Sequence, residues 1–163
     1  MSTYCAFFAT YRGITDELTT PASILPIFTT NPAFCGVPFE IEALWDTGAT
    51  ATCIKPALWK RLELYSLESD CTELTGIGGN VPSDLTFVDL LLTSELEIKN
   101  CPVYVADFPG DMDILIGMDI IGTGDFAVCN TNGKTSFSFV VPPFPDRVNF
   151  ADKAEAANRS STV

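Results

Sequence analysis

Apolar residues in this chain come in short runs rich in β-branched and aromatic types, and glycine, proline, asparagine or aspartate cuts off each run. That punctuation leaves little room for long helices and is the pattern of an all-β domain. Runs of this kind occupy residues 4–12, 23–28, 37–45, 51–54, 86–92, 96–106, 113–117, 124–130 and 135–141. Between the last two lies NTNGK (130–134), whose Asn-Gly pair readily adopts positive φ and so predicts a hairpin. Helix is scarce. KPALWKRLEL (55–64) has Pro56 suited to a first turn and Leu58, Leu62 and Leu64 in step, which predicts one short helix. MDIIG (118–122) is expected to form a single turn ending at a glycine.

A length of 163 residues is that of one domain. The domain is expected over residues 1–141, with a proline-punctuated, polar tail over 142–163. Hydrophobic residues make up 47% of the chain and charged residues 18%, so a large core is available and wholesale disorder is excluded. Nine basic against 21 acidic residues leave a net charge of −12. A phosphate backbone or an anionic membrane would be repelled, so neither nucleic acid nor membrane is expected as a partner. No apolar run approaches the roughly 18 to 20 residues of a membrane helix. The N-terminal MSTYCAFFATYRG lacks a basic leader and carries too short an apolar stretch for a signal peptide. A cytoplasmic location is the expectation.

The chain has no histidine, and its six cysteines show no CxxC pair. No metal or other cofactor is therefore expected, and the cysteines are expected to be buried free thiols. Ser-His-Asp and Cys-His catalysis both need an imidazole base, so those reaction classes fall away. Carboxylates remain the most credible acid–base groups, with lysine a distant second.

Three stretches carry candidate chemistry: ALWDTGA (43–49), LTGIGGN (74–80) and DILIGMD (113–119). A bare Asp-Thr-Gly arises by chance in roughly three of a hundred chains this long, so alone it reads equally as a turn closing a strand. LTGIGGN by itself is a glycine-rich hairpin loop, and Ile114, Leu115 and Ile116 by themselves are core. Asp119 either holds the following turn electrostatically or caps its N-terminus. Asp107, Asp111 and Asp113 form an acidic run whose spacing does not fit a calcium loop.

Taken in order, the three stretches resemble the retropepsin-like aspartic proteases over roughly residues 36–130. Leu44 and Trp45 stand as the apolar pair before Asp46-Thr47-Gly48-Ala49, Gly76-Ile77-Gly78-Gly79 looks like the flap tip, and Leu115-Ile116-Gly117 like the second apolar-apolar-glycine element. Departures from the pattern are a tryptophan where an aliphatic residue is commoner, a short helix before the flap, and extensions at both ends.

The resemblance implies a closed β-barrel, one lobe per chain, with one or two short helices. It implies a homodimeric aspartic endopeptidase acting on polypeptide. Asp46, Thr47 and Gly48 would be catalytic; Ala49, Gly76, Ile77, Gly78, Gly79, Leu115 and Ile116 would contact substrate. One Asp-Thr-Gly supplies one carboxylate, so a second must come from a symmetry-related copy. The dimer sheet is expected to use the strand at 4–12, the strand at 135–141, or both. Two rival classes stand beside this one: a catalytically silent peptide-binding or dimerisation module of the same fold, and a β-sandwich in which Asp-Thr-Gly is only a turn.

Overall fold

The computed structural model describes residues 3–67, 72–76 and 79–160. In chain order the elements are β1 (Cys5–Thr10), β2 (Leu18–Pro26), β3 (Phe39–Trp45), β4 (Cys53–Ile54), α1 (Pro56–Arg61), β5 (Thr72–Gly76) and β6 (Gly79–Ser83). There follow β7 (Leu85–Leu91), β8 (Glu97–Val105), β9 (Ile114–Ile116), α2 (Met118–Ile121), β10 (Asp125–Thr131), β11 (Lys134–Val141) and α3 (Phe150–Ser160). Strands β2, β3, β9, β4, β8 and β7 close into a barrel in that order. A second sheet runs β1-β11-β10, and β5 pairs with β6 as a separate hairpin.

The barrel follows from period-two patterning. In β3, Ile41, Ala43 and Trp45 are buried while Glu40 and Glu42 are exposed and Leu44 is half-buried, so alternate side chains enter the core. Strand β9 is buried at every residue because it lies between β3, which it pairs in parallel, and β4, which it pairs antiparallel. The register sets Ala43 against Ile114, Leu44 against Leu115 and Trp45 against Ile116. Two segments distant in sequence therefore end side by side at the loop that carries Asp46.

Trp45 joins the barrel to the second sheet. It is 4% exposed, and its ring lies 5.4 Å from Phe7, 5.8 Å from Phe126, 5.6 Å from Phe137 and 5.2 Å from Phe139, centroid to centroid. The indole Nε1 donates to the hydroxyl of buried Thr20 at 2.9 Å, which satisfies the one polar atom that a buried tryptophan brings.

Most expected strands form, with three differences of physical interest. Strand β2 starts at Leu18, earlier than the expected 23, because Thr19, Thr20 and Pro21 disguise a strand whose Thr20 is buried as a hydrogen-bond partner. The glycine-rich stretch is flanked by paired strands, from Thr72 opposite Ser83 to Gly76 opposite Gly79; Ile77 and Gly78 lie outside the described residues. The tail contains a third helix, α3, in which no residue is buried and four alanines supply helix propensity. Asn132 and Gly133 both take positive φ between β10 and β11, the geometry expected of the Asn-Gly hairpin.

Replacing Trp45 by Ala removes the ring that both sheets pack against and leaves Thr20 without its donor. The expected loss is about 3–5 kcal/mol in urea unfolding, whereas Phe8→Ala, at a side chain 68% exposed, should stay within about 0.5 kcal/mol of the parent.

Candidate active site

The loop between β3 and β4 is short because both ends are anchored to the segment around β9. At its start the Asp46 N–H donates to the Ile116 carbonyl at 3.0 Å. Farther on, the Ala49 carbonyl accepts from the Met118 N–H at 2.8 Å. Within the loop, the Gly48 N–H donates to Asp46 Oδ1 at 2.8 Å and the Ala49 N–H to the Asp46 carbonyl at 3.2 Å. Asp46 is half-buried, and its Oδ2 has no hydrogen-bond partner among the described residues. One carboxylate oxygen is thus fixed by the backbone while the other remains available.

Gly48 lies close under that carboxylate: an added Cβ would stand 3.1 Å from Asp46 Oδ1. Thr47 and Gly48 are exposed, and the Thr47 hydroxyl has no partner among the described residues. Ala49 is half-buried beside them.

A second network fixes the loop's far side. Thr52 is fully buried at the entry to β4. Its N–H donates to Asp119 Oδ2 at 2.9 Å, its hydroxyl donates to Asp119 Oδ1 at 2.8 Å, and the same hydroxyl accepts from the Gly117 N–H at 3.2 Å. Asp119 Oδ1 also accepts from the Ile120 N–H at 3.0 Å, so the carboxylate reaches both its own helical turn and the strand after the catalytic-type loop. This favours the holding role for Asp119. Gly117 is required sterically, since a Cβ there would stand 2.7 Å from the backbone of Ala51. Thr52 escaped the sequence reading because ATATCI looks like an ordinary strand; only the pairing of β4 with β9 reveals it.

The second apolar element divides in two. Leu115 lies beside Leu44 on the outer face of the barrel, next to the Asp46 loop. Ile116 points the other way and is fully buried. Ile116 thus lies within the core with its carbonyl bonded to the Asp46 N–H, while Leu115 lies on the other face of the strand, next to Leu44. Gly76 and Gly79 close the β5–β6 hairpin, while Ile77 and Gly78, also expected at the flap, lie outside the described residues.

The acidic run does not gather. Asp113 is drawn onto β3, where its Oδ2 accepts from the Glu42 N–H at 3.0 Å, and Asp107 and Asp111 are exposed. The Lys55 ammonium binds the Gly110 carbonyl and sits 5.0 Å from the Phe108 ring centre, which pins this loop against β4. Among the described residues no group of His, Cys, Asp or Glu is placed to hold a metal ion, and no helix is long and apolar enough to cross a membrane.

The described cysteines are free thiols, but they are not uniformly buried: Cys101 is, Cys5 and Cys53 are half-buried, and Cys35 and Cys129 are exposed. Cys71 lies outside the described residues. Burial, with Asp119 nearby, pushes the thiols of Cys53 and Cys101 up to about 11 and about 12, so neither forms a thiolate nucleophile near neutral pH.

This barrel, with a tied Asp-Thr-Gly loop and a crossing glycine, matches known proteins in both sequence and shape. Residues 33–120 match the aspartyl protease family model. The chain belongs to the aspartyl protease family and is of the retropepsin-like kind. Among solved structures, the EIAV protease complexed with the inhibitor HBY-793 is 27% identical, with 70% of this chain and 92% of that one covered at a TM-score of 0.50. A retropepsin-like aspartic protease from Rickettsia conorii shares the fold at 14% identity, with 86% of this chain and 97% of that one covered at a TM-score of 0.51. No curated protein matches the chain.

Asp119→Ala strands the buried Thr52 N–H and hydroxyl without their acceptor. Equilibrium unfolding should report a loss of about 1–3 kcal/mol, and Asp119→Asn, which keeps an acceptor oxygen, should recover part of it.

Proposed function

We propose that the chain is an aspartic endopeptidase whose active site forms when two copies bring their Asp46 carboxylates together across a two-fold axis. The observation that carries this reading is Asp46 itself. Its Oδ1 is held by the Gly48 N–H at 2.8 Å, and its Oδ2 is unengaged beside the exposed Thr47 and Gly48. A single chain has one Asp-Thr-Gly carboxylate, and hydrolysis of the aspartic type needs two.

The chemistry follows from a shared proton. Like charges about 3 Å apart do not both ionise, a behaviour established for aspartic proteases in general. The ionised member takes a proton from water as the water oxygen bonds to the scissile carbonyl carbon. The protonated member gives its proton to the carbonyl oxygen. Collapse of the resulting gem-diol breaks the C–N bond, with one proton passing to the leaving amine. The pair titrates as a unit, so acid and base are not assigned to one subunit.

Other residues take supporting roles in the same reading. Thr47 turns its hydroxyl into the partner loop, Gly48 and Ala49 keep backbone close to the carboxylates, and Leu115 with Leu44 offers an apolar wall. The β5–β6 hairpin, closed by Gly76 opposite Gly79, is the flap that covers a bound peptide. The substrate is an extended polypeptide held by main-chain hydrogen bonds, with alternate side chains in apolar pockets.

Asp46→Asn tests the reading directly. Cleavage of a peptide library should disappear while sedimentation still reports the parental assembly; an undiminished rate would remove Asp46 from the mechanism. A library cut by neither protein, with or without a transition-state-mimicking inhibitor, would favour a silent peptide-binding module.

The pH profile supplies a second test. Below the lower apparent pKa of the pair no base remains, and above the upper one no acid remains, so the rate should be bell-shaped with an optimum on the acid side. Acidification also reduces the net charge of −12 on each copy and should tighten self-association. A flat rate from about pH 4 to 9 would contradict the shared-proton mechanism.

A further inference from the structure

Strand β11 is paired on both sides, whereas the outer edge of β1 opens onto a groove. The Tyr11 N–H donates to the Thr135 carbonyl at 2.9 Å, in step with the register that sets Ala9 opposite Phe137 and Phe7 opposite Phe139. Main-chain groups alternate in direction along a strand. Phe7, Ala9 and Tyr11 therefore bond towards β11, while Phe8 and Thr10 turn their N–H and C=O groups outward. Among the described residues no strand meets them. CAFFAT (5–10) carries neither charge nor proline, the devices that usually protect an exposed edge.

Strand β2 stands across the groove and is open there as well. The Thr19 N–H and carbonyl point away from β3, since both bond to the Tyr11 hydroxyl, at 2.7 and 2.8 Å. Pro21, two residues on, turns its carbonyl the same way and has no N–H to leave unpaired. From Ser23 onward this edge is covered by β7. Beyond β7 the chain turns off: the N–H groups of Leu92 and Thr93 both donate to the Leu96 carbonyl, at 2.9 and 3.3 Å. What remains is a groove of about 370 Å³ with a strand edge on either side.

The groove continues past Pro21. Pro21, Leu92 and Thr93 also line a second trough of about 640 Å³, which reaches Glu40, Glu42 and Asp113. The side chains of Glu40 and Glu42 are exposed, and Asp113 spends one oxygen on the Glu42 N–H. No lysine or arginine lines either part, and neither does any residue of the Asp46 loop. One end thus offers main-chain pairing beside Phe8, which is 68% exposed. The other end offers carboxylates, in a chain whose net charge of −12 already attracts cations.

We propose that this continuous trough docks an extended segment of another polypeptide, which adds to the β1 edge as a strand and lays basic side chains against Glu40, Glu42 and Asp113. Main-chain bonds to Phe8 and Thr10 supply affinity, and the carboxylates select the charge of the segment. The site lies apart from Asp46, so it holds whether or not the chain cuts peptide bonds.

The test uses the full chain carrying Asp46→Asn, so that no probe is cleaved, and a fluorescein-labelled alternating threonine–valine peptide with an arginine pair at one end or the other. Fluorescence anisotropy should report binding that persists under a saturating transition-state-mimicking inhibitor. The same peptide N-methylated throughout, or with glutamates in place of the arginines, should bind about tenfold more weakly or worse. Thr10→Pro removes an outward N–H that β11 does not use and blocks the edge, and the double variant Glu40→Lys/Glu42→Lys reverses the charge of the trough. Each should weaken the arginine peptide about tenfold with far-UV circular dichroism unchanged. The proposal is overturned if neither arginine peptide binds, if the inhibitor displaces it, if the N-methylated or glutamate peptide binds equally well, or if either variant binds like its Asp46→Asn parent. It is also overturned if sedimentation shows Thr10→Pro breaking a dimer, because the edge would then belong to a second copy of the chain.

Discussion

The structure depends on one close crossing of backbone. Gly117 sits where any side chain would strike the Ala51 backbone at 2.7 Å, and through that contact the segment following β9 lies directly on the segment leaving Asp46. Hydrogen bonds then lock the crossing at several points: Asp46 to Ile116, Met118 to Ala49, Gly117 to Thr52, and Thr52 to Asp119. A loop of small and polar residues, which by itself would be mobile, is held from both ends by strands of the barrel. Pre-organisation of this kind lets a half-exposed carboxylate keep one orientation.

Trp45 carries the constraint outward. A tryptophan at this position fills the space between the barrel and the second sheet, and its neighbours Phe7, Phe126, Phe137 and Phe139 come from three strands of that sheet. The sheet is thereby fixed relative to the loop. Where the family pattern more often has an aliphatic side chain, this chain uses a larger ring and satisfies its N–H with Thr20. Position of the aspartate and packing of the aromatic cluster are consequences of one contact set.

Legibility in the sequence tracked the range of the interactions. The Asn132-Gly133 hairpin, the alternation in β3 and the apolar run of β9 were readable because local rules dictate them: positive φ, period two and continuous burial. The start of β2 was not, because Thr20 looks polar until Trp45 is brought to it. Helix α3 was missed because the residues around it read as a polar tail, although its alanines favour helix. In the candidate site, Asp46, Gly48 and Gly117 stood out by motif, whereas Thr52 did not, since its partner Asp119 lies 67 positions away in the chain. The opposite facing of Leu115 and Ile116 was not written in the motif either: a motif names neighbours, and a strand sends neighbours to opposite faces.

The sequence alone determined the family motifs and the all-β character. A chain without histidine, with one Asp-Thr-Gly between apolar runs and with a second apolar-apolar-glycine element, leaves carboxylates as its credible acid–base groups. Tertiary structure alone decided how that aspartate is held and how Leu115 and Ile116 divide between the two faces of their strand. The physical reason is that these outcomes depend on pairings between segments far apart in the chain. Local composition constrains backbone dihedrals and burial, but register and closure are set only when the barrel brings distant strands together.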